Sequence, residues 1–303
     1  MNNFLFIIGQ THRKARTQSR GSNSPVRPMT AWLLPLGAIR QILFLRRKDE
    51  MKKKILVFLI CGLLLFSSVA SAWHDKTHIA LGLAIYGSEE GFREAEKRGE
   101  FTAYYDLAAP DLAKIRAGNE ACNHYYDKSR NELIAKDMVL QQVAQVGKVC
   151  ADTEKGRLYG AITDSLRKYI EIKSKGGFAD YYMAYVGHYV GDLVMPLHNV
   201  EFSGIKHHSA NDAVVEKEIN LTTYNQARII ACMQEYTLNS EDEVIAKMLE
   251  LASEASTLGY RLVDDNKRTM TTEEAYTQLG AGASFFKAIQ AYAQKETQAG
   301  KRP

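Results

Sequence analysis

The sequence predicts an all-α fold, built as a single multi-helix domain. Three observations lead there. From Trp73 to Pro303, apolar residues recur at three and four positions in nearly every segment, rather than in the alternation of a half-buried strand. Two of the longer stretches open on Ser or Thr ahead of acidic residues, and two others close at Gly or Pro. The chain is 46% hydrophobic and 24% charged over 303 residues, which suits a sizeable core and excludes a disordered chain. Six prolines, 21 glycines and no internal repeat exclude collagen-like and solenoid architectures.

Residues 1–50 are Arg-rich and Pro-containing and have no core of their own; they are expected to be upstream sequence read from a misassigned start. Met51 then opens Met51-Lys52-Lys53-Lys54. Ile55 to Phe66 is almost wholly apolar, and Ser67 to Ala72 ends in Ala-x-Ala. These are the three parts of a secretory signal peptide over 51–72. The apolar core falls short of the ~20 residues that span a bilayer, and Cys61 inside it argues against a lipoprotein anchor. The expected product is secreted or periplasmic, cleaved after Ala72, with a domain over 73–303.

In that domain, Leu133, Met138, Val139, Val143 and Val146 predict one amphipathic helix. Leu158, Ile162, Leu166 and Ile170 predict another, stopped by Ser174-Lys175-Gly176-Gly177. Ala179 to about Val194 is apolar on most sides, with Tyr181, Tyr182, Tyr185 and Tyr189, and predicts a central helix closed by Pro196. Asn199 to Lys206 predicts a loop. Ser240 to about Val263 and Thr272 to about Gln294 predict two long helices whose first turns carry acidic residues.

Residues 1–72 hold 12 of the 39 Lys and Arg and 2 of the 35 Asp and Glu, which leaves 27 basic against 33 acidic groups afterwards. So acidic a chain has no broad basic surface for nucleic acid, and an anionic substrate needs another source of attraction. Cys122, Cys150 and Cys232 allow one disulfide and one free thiol in an oxidising compartment, with the pairing open.

Seven of the eight histidines follow residue 72: His74, His78, His124, His188, His198, His207 and His208. His188 and Asp192 lie four apart, on one face of the central helix. His198 follows just past Pro196, and His208 and Asp212 repeat the four-residue spacing. Each alone reads as a core histidine or a helix-surface contact. Together, His188-x3-Asp192-x5-His198-x9-His208-x3-Asp212 gives five nitrogen and oxygen donors within 25 residues, a set that suits zinc. His207-x3-Asn211 is the competing pair, and the anionic Asp212 favours His208.

With these residues in place, the sequence resembles the superfamily of zinc-dependent phospholipases C and S-one/P-one-type single-strand nucleases. Those proteins are all-helical and exported, and a mature N-terminal tryptophan coordinates one of their three zinc ions. Cleavage after Ala72 exposes Trp73, and Trp73-x4-His78 resembles the nucleases' N-terminal pair. Asp111 in Leu107-Ala108-Ala109-Pro110-Asp111 resembles the family's Ala-x-x-Asp segment, and His124-Tyr125-Tyr126-Asp127 its His-aromatic-x-Asp segment. The resemblance covers Trp73 to Asp212; the last 90 or so residues match only as helices.

The resemblance implies three zinc ions per chain. One takes Asp111, His124, His188 and Asp192. A second takes the Trp73 amino and carbonyl groups, His78 and a shared Asp192. The third takes His198, His208 and Asp212. It also implies that Lys114 meets the scissile phosphate beside Asp111, that Tyr125 stacks on a base and that Asp127 binds it. Three cations would supply the positive field that an acidic chain lacks. The expected activity is endonucleolytic hydrolysis of single-stranded DNA or RNA by metal-activated water. A phospholipase C acting on phospholipid head groups is the alternative, and a non-enzymatic zinc protein a second one. The Trp73-to-His78 spacing, Asp212 in place of glutamate, and Lys76, Leu112 and Ala121 where a choline cage would stand favour the nuclease branch, since Lys76 would repel choline. No stable protein partner is expected.

Overall fold

The computed structural model describes residues 73–151, 154–201, 204–222 and 226–299. They belong to a unit that spans Ser68–Pro303. The signal peptide and the upstream extension lie outside the described residues. The fold is all-α: the described residues form ten α-helices, three short 3-10 turns and no strand, with one isolated bridge between Tyr126 and Gly156.

Helix α1 (Asp75–Ala84) is buried from Thr77 onward, which is why its sequence shows a continuous apolar run and no period. Helix α2 (Glu89–Lys97) is capped by the Ser88 hydroxyl, which accepts from the Gly91 amide. A 3-10 turn, Tyr104–Ala108, leads into α3 (Ala109–Arg116), where Pro110 occupies an early helical position at which its missing N–H costs nothing. A second turn, Ala121–Asn123, precedes His124.

Helix α4 (Lys136–Val143) is shorter than its apolar pattern predicts. Leu133 lies before it and is 93% exposed, so it is a loop residue and not a core one. Helix α5 (Leu158–Ser174) stops just ahead of Gly176, whose φ of +77° ends the helix. Helix α6 (Asp180–Leu193) is buried through its second half, Val186 to Leu193. Its first half is less deeply set: Met183 and Ala184 are buried, but Tyr181 is 44% exposed, and Tyr182 and Tyr185 are half-buried.

The expected loop, Asn199–Lys206, is helical only at its two ends, and Val200, Glu201 and Gly204 lie in no helix. Pro196–Asn199 forms a 3-10 turn, and α7 spans Ile205–Asp212. Buried Asn199 makes the turn possible: its side-chain amide donates to the Leu193 and Met195 carbonyls at the end of α6, and its oxygen accepts from Tyr159. Helix α8 is Ala227–Ala231.

Helix α9 (Glu241–Asp264) starts where its capping residue predicts, with Ser240 accepting from the Glu243 amide. Helix α10 (Thr272–Ala299) opens on a reciprocal box, in which Thr271 accepts from the Glu274 amide and the Glu274 carboxylate accepts from the Thr271 amide. Helices α5, α6 and α10 pack on one another, α1 packs on the Tyr104–Ala108 turn, and α9 packs on the Pro196–Asn199 turn. The turns that lead to Asp111 and carry His198 are thereby held by helices from both ends of the sequence. Among the described residues, no helix is long and apolar enough to cross a membrane.

Candidate metal centre

Asp192 occupies the middle of the site. It lies near the end of α6, wholly buried, and each of its oxygens meets a different pair of rings. Oδ2 is 2.9 Å from His124 Nδ1 and 3.4 Å from His188 Nε2; Oδ1 is 3.5 Å from His78 Nε2 and 3.6 Å from His198 Nδ1. Asp111 joins from α3, its Oδ1 3.7 Å from His124 Nδ1 and 3.8 Å from His188 Nε2. His198, His208 and Asp212 form an adjoining group, with His208 Nε2 3.6 Å from Asp212 Oδ1. Every histidine and aspartate predicted as a ligand thus falls in one buried region, supplied by α1, α3, the residue after the second turn, α6, the third turn and α7.

Backbone contacts set several of the rings. His188 Nδ1–H donates to the Leu107 carbonyl at 2.6 Å, and His198 Nδ1–H donates to the His124 carbonyl at 2.5 Å. A carbonyl only accepts, so the proton sits on Nδ1 in both rings and Nε2 is bare. The Tyr126 amide returns a bond to the His198 carbonyl at 2.8 Å, lacing the His124 segment to the His198 turn. His78 stacks on His188 with centroids 3.9 Å apart. It fits there because position 191 is glycine: a methyl on Gly191 would run into the His78 ring.

The electrostatics are those of a deeply buried cluster of imidazoles and carboxylates. Burial pushes the Asp192 carboxyl well up, and burial followed by the neighbouring Asp192 charge pushes Asp212 up to about 9. Burial lowers His78 to about 3 and His208 to about 4, and carries His124 and His198 well below the usual imidazole range. Burial also raises Asp111, but the His188, Lys114 and His78 charges outweigh it and hold that carboxyl low. Both His78 nitrogens, Asp111 Oδ2, Asp192 Oδ1, His208 Nε2 and both Asp212 oxygens are buried with no hydrogen-bond partner. So many orphaned donors around one point are costly unless something binds them.

Their spacing is compatible with a metal ion. Bonds of ~2.0–2.1 Å at tetrahedral angles place zinc ligands about 3.3 Å apart, and the separations above run from 2.9 to 3.8 Å. The groups His78–Asp111–His188, His124–His188–Asp192 and His198–His208–Asp212 could each hold a metal ion. A further group, Cys122–Cys150–Glu154, is consumed by a disulfide between its two cysteines, and Cys232 is free.

The structure sets His208 and Asp212 beside His198, while the competing pair makes other contacts. His207 and Asn211 contact each other, and the Asn211 oxygen accepts from the Met270 amide at 2.7 Å, tying α7 to the loop before α10. Lys114 is 92% buried by its side chain, with Nζ 2.9 Å from Asp111 Oδ1. Tyr125 and Asp127 are half-buried in the segment directly after His124. The Asp127 amide donates to the Lys155 carbonyl at 2.6 Å, and burial, then Glu201, raises the Asp127 carboxyl to about 6 against the opposing pull of Lys155. Gly156, with φ of +92°, admits the close approach of the Tyr125 backbone, which a side chain would block. Trp73 is wholly buried, five residues ahead of His78.

Sequence reasoning missed Glu120, a buried carboxylate against His124 that accepts from the Tyr189 hydroxyl and from Asn123. It also missed Asn199. Comparison of the chain with protein-family models, with curated proteins and with solved structures finds no match.

Proposed function

We propose that the chain is an exported zinc-dependent phosphodiesterase that hydrolyses single-stranded nucleic acid as an endonuclease. The observation that carries the reading is Asp192, a wholly buried carboxylate that offers one oxygen to His124 and His188 and the other to His78. A carboxylate shared in this way suits two cations held close together. Imidazoles bare at one nitrogen, with aspartates and no thiolate, suit zinc. Asp111, His124, His188 and Asp192 would hold one ion. His78 and Asp192, with the amino and carbonyl groups of Trp73 freed by cleavage after Ala72, would hold a second, and His198, His208 and Asp212 a third. When bound, these ions supply Lewis acidity, which brings the pKa of water toward ~7 and offsets charge on a phosphodiester.

The remaining work falls to the chain itself. Lys114 is held by Asp111 and directs its ammonium at a phosphate oxygen, where a fixed charge in a dry site counts for more than in water. Asp111 restrains that ammonium. Tyr125 offers a ring on which a base stacks, a contact contributing ~1–3 kcal/mol that tolerates any sequence. Asp127 accepts from an N–H on the base edge. A base reaches a half-buried ring only once it leaves a duplex stack, which favours single strands.

Purified protein beginning at Trp73 is incubated with single-stranded DNA, with duplex DNA and with phosphatidylcholine, beside His188→Ala. The reading expects cleavage of the single strand, little of the duplex and none by the variant. Cleavage of lipid alone replaces it with the phospholipase C reading, and bound zinc with no hydrolysis of any substrate replaces it with a non-enzymatic zinc protein.

A further inference from the structure

We propose that Glu120 is a positioning residue that fixes which nitrogen of His124 faces the metal centre, an inference that rests on the metal-centre reading above. His188 and His198 each spend Nδ1–H on a main-chain carbonyl and keep Nε2 bare. His124 is turned the other way. Its Nδ1 points inward, 2.9 Å from Asp192 Oδ2, 3.1 Å from His188 Nε2 and 3.7 Å from Asp111 Oδ1. A neutral imidazole carries one proton, and a nitrogen that binds metal must be bare. The His124 proton therefore belongs on Nε2, on the far side of the ring.

That Nε2 is buried and has no hydrogen-bond partner. Glu120 Oε1 lies 3.7 Å from it, four residues back in the chain. Glu120 is itself clamped: it accepts from the Tyr189 hydroxyl and, at 3.1 Å, from Asn123 Nδ2. Tyr189 follows His188 on α6, so the clamp refers the His124 ring to the helix that carries His188 and Asp192. A small ring rotation closes the remaining gap. A carboxylate that accepts from the outer N–H of a ligand histidine sets its tautomer and raises its basicity, and losing such a partner costs ~10–100-fold in metal affinity. Because His124 binds through Nδ1, the carbonyl arrangement used by His188 and His198 does not serve it, and a side-chain acceptor takes over.

Metal-stripped protein, Glu120→Gln and Glu120→Ala are titrated with zinc against a chromophoric chelator. One zinc is expected to weaken ~10–100-fold in Glu120→Ala and by less in Glu120→Gln, with the others unchanged. Long-range proton–nitrogen-15 correlation spectra of the zinc-loaded parent are expected to show His124 protonated on Nε2, its proton resonance shifted downfield and losing that shift in Glu120→Ala. A merely structural role does not move that resonance. If the parent binds zinc and Glu120→Ala binds it as tightly with the same His124 signal, the inference is overturned while the metal centre stands. A parent that binds no zinc overturns both. Should Glu120→Ala fail to fold, Tyr189→Phe, which removes the hydroxyl that clamps Glu120, is read by the same two measurements: a severalfold weaker zinc supports the inference, and unchanged binding with an unchanged His124 resonance overturns it.

Discussion

Both oxygens of Asp192 face imidazoles and neither faces water, so neutralising it separates the needs of the fold from those of the metal. Asp192→Asn keeps the shape and needs no counter-charge. Metal-stripped Asp192→Asn is expected to melt no lower than stripped parent, because a buried carboxylate without a cation contributes cost rather than stability. With zinc present it is expected to bind at least one ion fewer and to lose at least ~100-fold in hydrolysis rate, more than a supporting residue would cost. Calorimetry with and without zinc checks the first expectation, and a rate assay the second. A stripped variant that melts well below stripped parent would contradict the first.

Residues differ in how far the sequence exposes them. His188 with Asp192 and His208 with Asp212 are legible because four-residue spacing on a helix fixes their common face. Asp111 and His124 carry no such period and become legible only through a resemblance to short family segments. Glu120 and Tyr189 stand 69 residues apart, Tyr159 and Asn199 40, and the His188 ring meets a carbonyl 81 residues away. No local pattern encodes those contacts, because packing makes them.

Among the elements, the surroundings of Cys122 and Cys150 show how the chain ahead of His124 is tied down. The Cys122–Cys150 disulfide closes a separation of 28 residues, two positions ahead of His124. Arg157, 1% exposed, fills the loop it closes: its guanidinium donates to the Gln145 and Lys148 carbonyls and to Glu154 Oε2, and its amide donates to the Cys122 carbonyl. By loop-closure entropy a bridge of this span is worth about 3–4 kcal/mol. The double variant Cys122→Ser, Cys150→Ser is expected to lose that amount in urea unfolding, with its midpoint lowered; a loss under about 1 kcal/mol would contradict the account. The pairing was open in the sequence, where three cysteines permit three bridges.

The start of α10 gives a pH dependence. Hydrogen bonds from Arg268, at 2.7 and 2.8 Å, followed by the Thr271 amide, outweigh partial burial and hold Glu274 at about 2 against an ordinary 4.5. A carboxyl lowered by folding stabilises the fold fully above its unfolded pKa, and that contribution is lost as pH falls through its folded one. Stability is therefore expected to decline between about pH 4.5 and 2, with a shallower decline in Glu274→Gln. Acid titration of the unfolding free energy measures both slopes, and equal slopes would remove Glu274 from the acid response. Long, capped helices such as α9 and α10 were legible to within a few residues. The short helices α1, α3 and α7 were not, because buried runs and eight-residue segments show too little period.

Across the whole molecule, the excess of acidic groups after residue 72 and the buried aspartates of the centre create the same need, a local positive charge. His188 and Asp192 from the second half of α6, His78 from α1 and His208 and Asp212 from α7 come together, so ions bound there would join elements distant in sequence. Chelation is therefore expected to lower global stability, by ~4 kcal/mol for each ion held at a thousand times its dissociation constant. A chelator that left the melting temperature unchanged would show that the ions bind elsewhere or not at all.

The most direct measurement is the zinc content, by elemental analysis, of protein whose first residue is established as Trp73, set beside the content of the same protein with Asp192→Asn. The account predicts three zinc ions per chain in the parent and fewer in the variant. A parent that retains none after exposure to zinc, or a variant that retains as many as the parent, would contradict it.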